Sequence, residues 1–296
     1  MNAENLFRRG ATRPRPVLSI AHRGAASLAP ENTLASARRA WELGADLWEF
    51  DVRVTRDGVP ILMHDLTLRR TTDCYRRFPT RAPWWVHLFT LAEIRQLDAG
   101  SWFNEVDPFG QIRAGIISRE ERRAYRGEPI PTLEEALRFT RERSWRANIE
   151  VKGSGSLAPE LIARKVVEVV EGLEMEDYVL ISSYDRRILR QVRALEGGIA
   201  IAIIVALRPS DPVRYLQGLQ VDAYHPGPLA FKPQDLERLR EMGVAVNIWT
   251  YDAPERLAEL ATTGVSGICT NFPQRLGPIL ERLFGSPGSL PSPART

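Results

Sequence analysis

The chain has 296 residues, 44% of them hydrophobic and 26% charged, a balance that supports a packed core and excludes disordered and collagen-like classes. Lysine and arginine (40) nearly cancel aspartate and glutamate (37), leaving a net charge of only +3 in spite of an isoelectric point of about 9.0. No broad basic footprint for nucleic acid is therefore expected.

The opening stretch MNAENLFRRGATRPRPVLSIAHRG lacks the apolar run of roughly 7 to 15 residues that a secretory signal needs. No apolar run along the chain approaches the roughly 20 residues of a membrane span. Cys74 and Cys269 stand far apart without metal-type spacing, which fits a reducing compartment. These features predict a soluble, cytoplasmic protein without stable membrane insertion.

Taken in chain order, eight short apolar or β-branched runs alternate with amphipathic stretches. They are VLSIA (17–21), LWEFDVRV (47–54), ANIEVK (147–152), YVLIS (178–182), IAIAIIV (199–205), VDAYH (221–225), VAVNIW (244–249) and GICT (267–270). Such alternation is the signature of βα units around a parallel sheet, and eight units make a TIM (β/α)8 barrel. The intervening NTLASARRAWEL carries Leu34, Ala37 and Trp41 at helical spacing, and PTLEEALRFTRE opens with Thr132 three residues before Glu135, a capping-box pattern. Gly172, Gly243 and Gly264 stand where helices are expected to stop.

The second and third runs lie roughly 90 residues apart, far more than a βα connection needs. A small insertion after the second strand is therefore expected over about 66–130. It follows a hairpin strand, GVPILMHD, and runs through YRRFPTRAPWWVHLF to a short helix, LAEIRQL. Trp84, Trp85 and Phe89 are expected to pack it onto the barrel. Residues 1–284 form one barrel domain on this reading, and 285–296, rich in Ser, Pro and Gly, a loose tail.

Side chains alternate along a strand, so Glu49, Asp51 and Arg53 share one face of LWEFDVRV while Trp48, Phe50, Val52 and Val54 share the other. The apolar face must meet the helices, which turns the carboxylates inward. The same parity places Asn148, Glu150 and Lys152 together on the third strand. Three carboxylates facing one interior repel unless a cation compensates, and all-oxygen ligation favours Mg²⁺, Ca²⁺ or Mn²⁺. The competing expectation is an ion network with Arg53, Lys152 and Arg23.

His22 in SIAHRG and His64 in ILMHD follow strand-like runs and so stand at the catalytic rim of a barrel. Two histidines flanking a phosphorus centre supply a base and an acid. Arg23 offers a planar donor fork to phosphate oxygens. His87 reads as packing, and His225 as a rim residue of undecided role.

The run from His22 to Asp73 contains HRG, PENT, a helix ending at a glycine, E-x-D, a D-G-x-P hairpin and H-D followed by R-T-T. In this order it resembles the opening of the glycerophosphodiester phosphodiesterases. The similarity continues through LDAGSWF (97–103), IPTLEEAL (130–137), IEVK (149–152), NIWTYD (247–252) and GICTNFP (267–273). The resemblance implies a barrel that hydrolyses glycerophosphodiesters to glycerol 3-phosphate and an alcohol. It implies a divalent metal on Glu49, Asp51 and Glu150, and His22 and His64 as an acid/base pair whose individual roles stay open. Arg23 and Lys152 would bind phosphate, and Trp249 would line the pocket for the glycerol moiety. Asn271 stands where an aspartate is common in the family, and the aromatic insertion is longer than expected. Rival expectations are a lysophospholipase D acting on lysolipids and a barrel that binds phosphodiesters without turnover.

Overall fold

The computed structural model describes Phe7, residues 15–153 and residues 157–286. Nine strands form one sheet: β1 (Leu18–His22), β2 (Leu47–Val54), β3 (Pro60–Leu62), β4 (Ala147–Val151), β5 (Val179–Ser183), β6 (Ala200–Val205), β7 (Ala223–Pro226), β8 (Ala245–Ile248) and β9 (Gly267–Thr270). Eight of them are parallel and close into a barrel, because β1 pairs with both β9 and β2. Helices cover the outside, from Leu34–Glu42 after β1 to Pro273–Phe284 after β9. The TIM barrel expected from the alternation is the observed fold.

The expected hairpin forms, with β3 running antiparallel to β2. The long β2 has two partners on one edge: Leu47 to Glu49 lie beside β1, and Val52 to Val54 lie beside β3. β2 thus rises past the end of β1, and the chain that follows β3 is delivered to the top of the barrel. Beyond it, the insertion folds on a small core of its own, in which Phe89, Cys74, Leu68 and Ile94 pack against Ile61 of β3. Trp84 is half-buried there and donates its indole N–H to the Phe78 carbonyl (2.8 Å). Trp85 and His87 are also half-buried, with rings 6.2 Å apart. Short helices at Ser101–Val106 and Arg119–Ala124 add to the insertion; neither was legible as a periodic run.

The capping box at Thr132 is present, with reciprocal bonds to Glu135. Two local expectations fail. Trp41 is 44% exposed, and the first helix buries Ser36, Ala37 and Ala40 instead; small residues let it lie close to β2, while the indole lies on the surface beside the Arg143 guanidinium (5.6 Å). Gly172 lies inside the last turn of Pro159–Gly172, and the left-handed residue after that helix is Glu174 (φ 54°). Gly243 and Gly264 do take positive φ after their helices. Of the expected tail, residues 287–296 lie outside the described residues.

Inside the barrel, apolar and polar residues are segregated by height. Inward positions low on the strands are Ile20, Leu47, Leu180, Ala202, Ala223 and Ala245, which pack together with Phe7. One step higher along five of those strands stand His22, Glu49, Ser182, His225 and Asn247. A strand period of two makes this a change of floor within one interior. The lower floor seals the barrel and the upper floor is left to chemistry.

Candidate active site

The upper floor is held by turns as much as by strands. After His22, Arg23 (φ 54°) and Gly24 (φ 80°) are both left-handed, which turns the Arg23 backbone N–H onto Glu49 Oε2 (2.9 Å). In the PENT run Asn32 is also left-handed (φ 58°), a conformation that asparagine tolerates well. Its amide donates to Asp51 Oδ2 (2.9 Å) and accepts the Asp51 backbone N–H (3.0 Å). Thr33 then caps the following helix.

Glu49, Asp51 and Glu150 offer oxygen atoms that lie within 4.8 Å of one another. Lys152 sits between two of them, 2.9 Å from Asp51 Oδ1 and in contact with Glu150 Oε1. Arg23 Nε lies 3.0 Å from Asp51 Oδ2. The expected ion network is therefore partly present, but Arg53 is outside it: its guanidinium donates to the carbonyls of His64 (2.7 and 2.9 Å) and Gly153 (2.9 Å).

Two cations face three carboxylates, and the imbalance falls on Glu49. Burial, then the charges of Asp51 and Glu150, push its carboxyl well above the usual range. Burial and Asp51 raise Glu150 as well. Burial also acts against ionisation of Asp51, but Arg23, Lys152 and His64 together hold it well below the usual carboxylate range. Glu49 Oε1 and the neighbouring Asn148 Oδ1 are buried without a hydrogen-bond partner. Clustered carboxylates with raised pKa and an unpaired oxygen fit a hard divalent cation, which supplies the missing positive charge to oxygen ligands.

His22 lines the same pocket as Glu49, Glu150 and Trp249, with Nε2 4.0 Å from Glu49 Oε2. Burial first, then the Arg23 charge, lower its pKa to about 4. Its Nδ1 lies 2.7 Å from Asn271 Oδ1, and Asp252 receives the Asn271 side-chain N–H (2.8 Å) and backbone N–H (2.9 Å). His64 stands farther out, its side chain 35% exposed, with Nδ1 2.7 Å from Asp65 Oδ1.

Trp249 donates its indole N–H to the His225 carbonyl (2.8 Å) and meets the Tyr184 ring edge to face (6.1 Å). His225 is buried and lines the same pocket as His22 and Glu49, with Nε2 3.0 Å from Asn247 Nδ2, and burial lowers its pKa to about 3. A larger cavity of about 580 Å³ opens at the opposite end of the barrel beside Val17, Val244 and Ser266. Among the described residues its one charged lining group, Arg240, is turned to the Gly264 carbonyl, so the chemistry resides at the upper end.

A model of the glycerophosphoryl diester phosphodiesterase family matches residues 22–275. This chain belongs to that family. The glycerophosphoryl diester phosphodiesterases are phosphoric diester hydrolases, and so is this chain. It is 33% identical over 261 residues to a glycerophosphodiester phosphodiesterase of Caldanaerobacter subterraneus, covering 88% of this chain and 96% of the relative. It is 30% identical to one of Bacillus subtilis, covering 88% and 85%. Among solved structures, a phosphodiesterase of Oleispira antarctica in complex with the product sn-glycerol-3-phosphate superposes with a TM-score of 0.76 at 29% identity, covering 89% of this chain and 96% of the other. A glycerophosphoryl diester phosphodiesterase structure from Silicibacter pomeroyi gives a TM-score of 0.81 at 26% identity, covering 94% and 97%.

The site residues named from sequence lie around this one opening, with His64 farthest out and bonded to Asp65. Not singled out there were Asn32, Asp65 and Asp252. Asn32 carries a signal, since an asparagine before a helix cap suits a left-handed turn. Asp252 carries none, because its partner Asn271 lies on a different strand connection.

Proposed function

We propose that the chain hydrolyses glycerophosphodiesters to glycerol 3-phosphate and an alcohol, with Glu49, Asp51 and Glu150 holding a divalent cation and His22 and His64 moving the protons. The cluster of three carboxylates, Glu49 and Asp51 buried and Glu150 half-buried, beside a neutral histidine carries this reading, and the product-bound relative supports the substrate class. Mg²⁺, Ca²⁺ and Mn²⁺ all suit the oxygen ligands. When bound, such an ion polarises a phosphoryl oxygen and lowers the pKa of an attacking hydroxyl.

The protein's own groups divide the remaining work. Asn271 gives its N–H to Asp252 and so turns its oxygen to His22. His22 therefore donates through Nδ1 and keeps Nε2 free to accept a proton. A pKa of about 4 keeps it neutral near pH 7, which assigns it the role of base toward the attacking hydroxyl, whether of water or of the glycerol. His64, oriented through Nδ1 by Asp65, protonates the departing alkoxide. Arg23 and Lys152 bind the phosphate oxygens, and the Trp249 face lies against the glycerol carbons.

The test is release of glycerol 3-phosphate from glycerophosphocholine by chelator-treated protein, before and after each of the three ions is restored, with a lysolipid in parallel. Release that depends on an added ion is expected. Turnover of the lysolipid alone would favour a lysophospholipase D, and binding without turnover of either would overturn the catalytic reading. His22→Ala and His64→Ala should each lower kcat by about 10² or more, the usual weight of an acid or base.

A further inference from the structure

We propose that Arg70 is a positioning residue that ties His64 and Arg23 together through two carboxylates, an inference that rests on the catalytic role given to His64. Arg70 follows His64 by six residues, in the R-T-T run that the chemistry above leaves without a task. Its guanidinium grips Asp65 with Nε and Nη2 (2.8 and 3.0 Å) and Glu31 with Nη1 and Nη2 (2.8 and 2.7 Å). Asp65 is the partner of His64 Nδ1, and Glu31 accepts from Arg23 Nη1 (2.9 Å). One planar group thus fixes the anion behind each of two working cations or proton carriers.

The place of this clamp in the fold explains why one is needed. β1 ends at His22, opposite Glu49, while β3 begins pairing only from Val52 onward. Arg23 and His64 lie just beyond these two strand ends, on separate loops with no ladder between them. Glu31 belongs to the loop after β1, and Asp65 and Arg70 to the chain after β3. The guanidinium joins the loops across this gap. It is itself seated beside the Trp102 ring (5.9 Å) of the LDAGSWF run, and Trp102 donates to the Ala99 carbonyl (2.9 Å). The R-T-T and LDAGSWF runs acquire one shared purpose.

Lysine cannot substitute, because an ammonium is a point donor and two carboxylates held side-on need a fork. Arg70 is 41% exposed, and Glu31 keeps its bond from Arg23 Nη1 when the Arg70 guanidinium is removed, so loss of position is separable from loss of fold through the thermal midpoint.

The experiment is steady-state hydrolysis of glycerophosphocholine by the full chain and by Arg70→Ala, Arg70→Lys, His64→Ala and the His64→Ala/Arg70→Ala double variant, with thermal midpoints checked in parallel. Arg70→Ala is expected to lower kcat about 10-fold when His64 is present and less than about 2-fold when it is absent, since groups that act as a unit are not additive. KM is expected to rise by a similar factor in both backgrounds through Arg23. Arg70→Lys should resemble Arg70→Ala and serves as the folded alternative should the alanine variant misfold. An unchanged kcat in Arg70→Ala, or equal kcat losses in the two backgrounds while His64→Ala itself is crippled, would overturn the positioning role alone. A fully active His64→Ala enzyme would overturn the role of His64, and this arm of the clamp with it.

Discussion

Asn271 presents its side-chain oxygen to His22 Nδ1 at 2.7 Å, so on its Nδ1 side the imidazole is oriented by a neutral amide, and the carboxylate behind that amide, Asp252, stands one residue further back. A carboxylate in direct contact would stabilise the protonated ring. Asn271→Asp should therefore raise the pKa of His22 from about 4. A base works only when neutral, so the acid limb of kcat/KM against pH should move to higher pH in this variant. An acid limb that stays in place would mean that His22 does not set it.

The carboxylate cluster makes a prediction about the metal-free protein. Glu49 has a folded pKa above its unfolded value, so the folded state retains a proton that the unfolded state has already lost. Glu49 by itself therefore contributes a stability that declines as pH rises from about 4.5 toward neutrality. Glu49→Gln removes the conflict and is expected to raise the thermal midpoint of the apoprotein at pH 8. The same variant should lose the stabilisation by added Mg²⁺ or Mn²⁺, which for the parent is about 2.7 kcal/mol at a hundredfold excess over Kd. Scanning calorimetry with and without ion checks both signs, and a parent-like response to ion would remove Glu49 from the ligand set.

The barrel and the inward carboxylates were legible because strand parity is a strong constraint: one register slip would have put Trp48 and Phe50 inside and Glu49 and Asp51 against the helices. His22 and Arg23 were legible as a strand-end pair. What parity cannot convey is which polar group meets which across the mouth. Arg53 shares a face with Asp51, yet its length carries it past the carboxylates to the His64 carbonyl. His225 reads as a rim residue because a proline follows it, and its ring does line the pocket, but β7 runs on through Pro226 and the ring is buried there. Trp41 fails for the opposite reason, since helical spacing marks a face without saying how close the neighbouring strand comes.

Gly24 and Gly44 offer a controlled comparison of backbone and contact. Both have positive φ, +80° and +71°, but a Cβ on Gly24 would lie 2.5 Å from Ser36 Oγ and 2.6 Å from its carbonyl carbon, whereas one on Gly44 meets nothing within 4 Å. Gly44→Ala should cost only the left-handed penalty of about 1 to 2 kcal/mol. Gly24→Ala must also push the first helix away from the turn that aims Arg23 N–H at Glu49, so its cost should exceed that of Gly44→Ala. Urea denaturation measures the difference, and kcat/KM should fall for Gly24→Ala alone. Equal costs would show that the turn yields without disturbing the site.

His225 links the barrel interior to acid stability. Its folded pKa of about 3 lies below the unfolded value of 6.5, through burial alone. As pH falls below 6.5 the unfolded chain takes up a proton that the folded wall refuses, so stability present above that pH is lost progressively on the way down to about 3. Each pH unit costs about 1.4 kcal/mol per such histidine, and His22 adds a second contribution until about pH 4. His225→Gln, which keeps an acceptor for Asn247 Nδ2, should therefore lose stability less steeply than the parent between pH 6 and pH 4, by about 1.4 kcal/mol per unit. Carboxylates titrate alike in both proteins and cancel in the comparison. Parallel slopes in urea denaturation would mean that the wall opens enough to hydrate the imidazolium, and that the upper floor of the barrel is wetter than its packing implies.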